Sequence, residues 1–238
     1  MTKALEDGVA AALGKERRAD PVLARTGGPA GNARLTAWTG VLLLGLFGAE
    51  TVTLLDVHGL ISWHVALGVL LVPPALLKTG TTGWRILRYY TGNSAYRSAG
   101  PPPLLLRLLG PLVVLTTLGL LVTGLALVLY GVTQSIQPLF TVVGVQVDVL
   151  MLHKAAFLVW AAVTGLHVLA RLVPAWQLTV EHRPRVPGLV WRGLVLLVVG
   201  VLAVPLVVWG LSSAGGWRDN SYFGRPPGEH SPPPGFKQ

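Results

Sequence analysis

Five separated stretches of mostly apolar residues dominate this chain, and each is near the roughly 20 residues a helix needs to cross a hydrocarbon layer about 30 Å thick. They cover residues 35–55, 60–77, 104–130, 147–172 and 189–211 of the 238. Lipid offers no partners to backbone N–H and C=O groups, so such stretches close their hydrogen bonds within helices. The expected fold is therefore all-α: an integral membrane helical bundle. Composition agrees, because a chain that is 52% hydrophobic and only 12% charged has too little polar surface to wrap a soluble core. The second stretch is the shortest and carries Pro73 and Pro74. Their missing amide donors predict a kink buried against neighbouring helices.

The charges set a direction. The chain holds 19 Lys and Arg against 10 Asp and Glu. Lys3, Lys15, Arg17, Arg18, Arg25 and Arg34 precede the first stretch, and Lys78, Arg85, Arg88 and Arg97 follow the second. Arg171, Arg183, Arg185 and Arg192 surround the connection after the fourth, whereas the two opposite loops carry Asp56 and Asp148 and no Lys or Arg. This alternation follows the positive-inside rule for a multi-pass protein of the cell membrane. Lipid, rather than nucleic acid, is the partner the basic excess implies.

Residues 1–34 are too polar for a signal peptide and read as a cytoplasmic extension, with 10–13 able to join a short amphipathic helix. Residues 173–188 form a cytoplasmic loop, and the Pro-rich segment 212–238 falls on the extracytoplasmic side, docked on a partner or unfolded. The cytoplasmic run 82–103 combines Arg, Trp and Tyr, the composition of an interfacial helix anchored at headgroups, with a docking site for a soluble partner as the alternative.

Chemistry has few carriers. With no cysteine, disulfides, thiolate metal sites and covalently attached haem are excluded. No Walker loop, GxSxG or HExxH occurs. Six histidines remain, and His64, His153 and His167 fall within spans, where ionisable groups usually have a functional reason. His64 lies about four residues into the second span and His153 about six into the fourth, both counted from the outer side, so they differ in depth by only a few ångströms. That placement suits two imidazoles approaching a b-type haem from opposite faces. The competing reading is a pair of polar residues near the interface.

Gly68, one turn beyond His64, offers space for a macrocycle, as do Gly45, Gly48, Gly119 and Gly124. Phe157 and Trp160 either flank a porphyrin or simply pack. Lys154 meets a haem propionate or pairs with Glu50, which alternatively carries protons near a quinone site. His58 and His182 read as solvated loop residues.

His167 follows His153 by 14 residues, close to four helical turns, which puts both on nearly one face about 21 Å apart. A single His in the second span with two spaced in this way in the fourth resembles the bacterial di-haem cytochrome b family, the membrane subunit of formate dehydrogenase and nickel-iron hydrogenase. The resemblance covers residues 34–172. It implies a four-helix haem-binding core at 35–172, to which 189–211 adds a fifth helix, and an outer haem held by His64 and His153.

In that family an inner haem uses the second His of the fourth span and a His in an Arg-x-x-His-Trp pattern, but here the pattern reads Arg34-Leu35-Thr36-Ala37-Trp38. With Ala37 in the ligand position, one haem b is expected. His167 is then hydrogen-bonded within the bundle, unless another residue or subunit completes a second haem. The implied function is electron transfer between an extracytoplasmic oxidoreductase subunit, of molybdopterin type, and membrane quinone. A reading from a different class is a haem-free membrane anchor for a partner complex.

Overall fold

The computed structural model describes residues 3–13, 15, 20–98, 100, 104–180 and 186–219. His182 and the Pro-rich run 220–238 lie outside the described residues. The elements are α1 (Lys3–Ala12), α2 (Gly28–Thr53), a 3-10 turn (Leu54–Asp56), α3 (Ile61–Leu70), α4 (Val72–Tyr90), α5 (Ser94–Ser98), α6 (Leu104–Ser135), β1 (Phe140–Val142), β2 (Val145–Val147), α7 (Val149–Val180), α8 (Leu189–Ser213) and α9 (Gly215–Asp219).

Five helical units, Gly28–Asp56, Ile61–Tyr90, Arg107–Ser135, Val149–Gln177 and Leu189–Ser213, are long and apolar enough to cross a membrane. The chain is a multi-pass membrane protein built as an α-helical bundle, with one short hairpin, and its outward aliphatic side chains face lipid. Leu115, Leu169 and Val190 are 66%, 73% and 85% exposed.

Each unit extends beyond its apolar stretch, for local reasons. Unit one starts at Gly28 because Gly27 turns the chain with φ +76 and Pro29 suits a first helical turn, where no amide partner is required. A Cβ on Gly27 would lie 2.6 Å from Val186 and 2.9 Å from the Pro187 carbonyl, so only glycine allows this crossing.

Unit two is interrupted at Leu71, where the two prolines open α4. The chain nevertheless keeps helical dihedrals through Leu71 and runs on to Tyr90. Lys78, Arg85 and Arg88, expected in the connection after the span, the last two within an interfacial helix, therefore project from the continuing α4. Similarly, α7 continues through Pro174 to Val180, so the loop expected from residue 173 is shorter.

A small hairpin joins α6 to α7, with Phe140 paired to Val147 and a tight turn at Val143 and Gly144, both at positive φ. Hydropathy alone gave no sign of it. The bundle end that carries it is called the hairpin end below, and the opposite one, with Lys78, Arg85 and Arg171, the basic end.

The fifth helix packs mainly against α3. Ala203 and Ala214 are 1% and 0% exposed, and a Cβ on Gly210 would sit 2.9 Å from Val69. With Val65, Val69 and Val128, Ala214 forms one of two core clusters; the other joins Leu43, Leu71, Ala75 and Leu121.

At the basic end Arg192, 3% exposed, donates to the carbonyls of Pro187 and Val186 and lies 5.7 Å over the Trp38 ring, tying the start of α8 to α2. At the other end Trp217 of α9 is buried and its indole donates to the Leu127 carbonyl at 2.9 Å. The first residues after the fifth span are thus docked helix. Gly210→Leu should overpack the α3 contact and destabilise by about 1–3 kcal/mol. Gly200→Leu, whose Cβ meets nothing within 4 Å, should change little; thermal unfolding midpoints in detergent check the difference.

Candidate functional site

Two short turns aim the paired histidines. After α2 the chain reverses through the 3-10 turn, where the Asp56 carboxylate accepts the Gly59 amide at 2.9 Å. This reversal brings the first turn of α3, with His64, back against Glu50 and Thr53 at the end of α2. Asp148 caps α7 by accepting the Met151 amide at 2.7 Å, and His153 follows one turn later.

The two imidazoles meet at the hairpin end. Their ring centroids are 6.4 Å apart and the planes are nearly perpendicular, at 83°. Each ring is held at Nδ1. Thr53 Oγ1 lies 2.8 Å from His64 Nδ1, and Glu50 Oε1 lies 3.0 Å from the same nitrogen. Across the bundle, Thr123 Oγ1 lies 3.1 Å from His153 Nδ1.

The tautomers follow from counting protons. Thr53 gives its hydroxyl hydrogen to the Glu50 carbonyl at 2.6 Å, and Thr123 gives its own to the Gly119 carbonyl at 2.8 Å. With the hydrogens so placed each hydroxyl offers only lone pairs, and the tautomer that fits carries the hydrogen on Nδ1 in both rings. Nε2 is left with its lone pair in both. This is the arrangement of metal-ligating histidines, in which the second nitrogen donates to a carboxylate or another oxygen.

Two imidazoles each about 2 Å from one shared metal have centroids on the order of 6 Å apart, close to the separation found here. Among the described residues no group of three or more His, Cys, Asp or Glu side chains is placed to chelate a bare ion. A metal held by these rings would take its remaining donors from a ligand such as a macrocycle.

The surrounding residues divide differently from the sequence expectation. Gly124 does permit close approach, since a Cβ there would lie 3.1 Å from His153 Cε1. Gly68 instead admits a carboxyl group, with its Cβ position 3.4 Å from Glu50 Oε1. A Cβ at Gly45, Gly48 or Gly119 meets nothing within 4 Å, so these glycines are not close helix contacts. Trp160 packs with both Phe47 and Phe157, and its indole donates to Thr117 at 3.1 Å.

Glu50 pairs with His64 rather than Lys154. Lys154 is exposed, because one residue after His153 is about 100° round the helix. The second Glu50 oxygen, Oε2, is buried without a hydrogen-bond partner. His58 is exposed in its turn.

His167 lies at the basic end with its Nδ1 buried and no hydrogen bond to it. The expectation of a histidine hydrogen-bonded within the bundle fails at that nitrogen, since α7 there faces Lys78 and its own Arg171. Ala37 is buried and carries no donor.

Sequence reasoning missed Thr53 and Thr123. Their signal was faint, a hydroxyl within an apolar helix near the depth of each histidine. Compared with protein-family models, curated proteins and solved structures, the chain matches none.

Proposed function

We propose that the chain is a membrane b-type cytochrome in which His64 and His153 hold one haem b, passing electrons between an extracytoplasmic oxidoreductase subunit and the quinone pool. The observation that carries this reading is the imidazole pair, its ring centroids 6.4 Å apart and each ring held at Nδ1. Bound haem would supply a one-electron couple, and with His64 and His153 both holding it no position would remain for oxygen or substrate, so electron transfer is the activity such a site would serve.

The chain's own residues divide the remaining work. Glu50 and Thr53 fix the His64 ring, and Thr123 fixes that of His153; their acceptor oxygens raise ligand basicity and lock ring rotation. Aliphatic side chains of the bundle keep water out and the local dielectric low.

The basic residues of the N-terminal segment, α4 and the end of α7 support a cytoplasmic basic end and amino terminus, with the hairpin end and Pro-rich tail outside. The haem then sits near the outer face, within reach of an extracytoplasmic partner. A molybdopterin-type enzyme is the partner class that the family resemblance favours. Ala37 supports one haem rather than a pair relaying electrons across the membrane.

Quinol-driven reduction tests this role. In proteoliposomes of the purified protein, added ubiquinol or menaquinol should produce the reduced b-type absorption bands. A haem-loaded protein that dithionite reduces but neither quinol does would remove the quinone from the account.

A further inference from the structure

The basic end holds a second cluster that the histidine pair does not use. Lys78 projects from α4 within the span, donates to the Thr36 carbonyl at 3.1 Å and lies flat on α2, where a Cβ on Gly40 would be 2.7 Å from its Nζ. His167 and Arg171, about one turn apart on α7, are close enough to interact with Lys78 electrostatically. Arg85 neighbours Arg171 and pairs with Asp20.

Lys78, Arg85 and Arg171 face one carboxylate, Asp20, among the described residues of this cluster. Arg171 makes no hydrogen bond or ion pair with the described residues, and His167 Nδ1 is buried with none. Unpaired cations at membrane depth are costly, and they are normally matched by an anion or by water.

The shape beside the cluster narrows the anion. An apolar groove of about 560 Å³ lies between α2 and α4, lined by Asn32, Leu76, Leu77, Gly80, Thr81 and Trp84; it adjoins the cluster through Thr81, whose hydroxyl meets that of Thr36, the residue whose carbonyl accepts from Lys78. A planar guanidinium and an ammonium suit phosphate oxygens, while the groove suits an attached hydrocarbon chain.

We propose that Lys78, Arg171 and His167 bind the phosphate of an anionic phospholipid whose acyl chain lies in the groove along α4. The site is independent of the haem reading, since it shares no residue with it.

Native mass spectrometry of the purified full chain, offered equal phosphatidylglycerol and phosphatidylcholine, reads the preference directly. Two cations near a phosphate imply roughly thirtyfold retention of phosphatidylglycerol, about fivefold for each. Lys78→Met with Arg171→Gln should bring the ratio within about twofold of parity, and Arg171→Gln alone should lower it about fivefold. Arg97→Gln, at an exposed position of the same end, should leave it unchanged.

A wild-type chain with no preference would overturn the proposal, and that measurement needs no variant to fold. So would a double variant that keeps the full preference, or an equal loss in Arg97→Gln, which would reduce the effect to general surface charge. Displacement of the lipid by millimolar inorganic phosphate would assign the cations to a free anion and overturn the lipid assignment.

Discussion

His64→Ala and His153→Ala should each abolish the reduced b-type absorption spectrum of the purified protein, or cut haem occupancy at least about tenfold. Each change would remove one of the two imidazoles proposed to hold the haem and leave a cavity about the size of that ring. The remaining ring keeps its Nδ1 hydrogen bond, to Thr123 in one variant and to Thr53 and Glu50 in the other. A single protein ligand would then hold the macrocycle with apolar contacts alone. His58→Ala should leave the spectrum intact, because that residue is exposed in the turn. Absorption normalised to protein concentration checks all three, and a full spectrum in His64→Ala would contradict the assignment.

The second large effect belongs to the residues behind the ligands. Glu50→Leu combined with Thr53→Val removes both acceptors from His64 Nδ1 while keeping similar volumes. Loss of such outer contacts typically weakens metal affinity by about 10–100-fold. The expected result is haem that dissociates far more readily to an apo-globin acceptor, together with a raised midpoint potential, because a less basic imidazole stabilises the oxidised iron less. A purely structural role for the pair would lower the unfolding midpoint while leaving the potential of the haem-loaded fraction unchanged. Thr123→Val, which removes one neutral acceptor from His153, should act in the same direction and less strongly.

Much of this molecule was legible in the residues because lipid imposes simple rules. Five apolar stretches gave five spanning helices, and counting turns from the span ends gave the common depth of His64 and His153. Contacts between distant segments were not legible. Thr123 reaches His153 across 30 residues of chain, and the turn from Leu54 to Leu60 decides that Glu50 meets His64. No local pattern encodes either meeting.

The reach of α4 escapes a reading by hydropathy for another reason: apolar character fades at Leu77 and Gly80 and Gly83 follow, yet the helix runs on to Tyr90, so Lys78 stays on the helix and inside the bundle. The hairpin at 140–147 escaped because its strands span three residues each and its turn begins with Val143, an uncommon residue at positive φ.

The central claim is that two imidazoles from α3 and α7 grip one iron porphyrin. The dithionite-reduced minus oxidised spectrum of the wild-type protein, purified after expression with adequate haem and paired with extracted-haem quantitation, tests it most directly. The account expects b-type bands with one haem per chain; absence of bound haem would contradict it, and two per chain would contradict the single-site assignment that follows from Ala37.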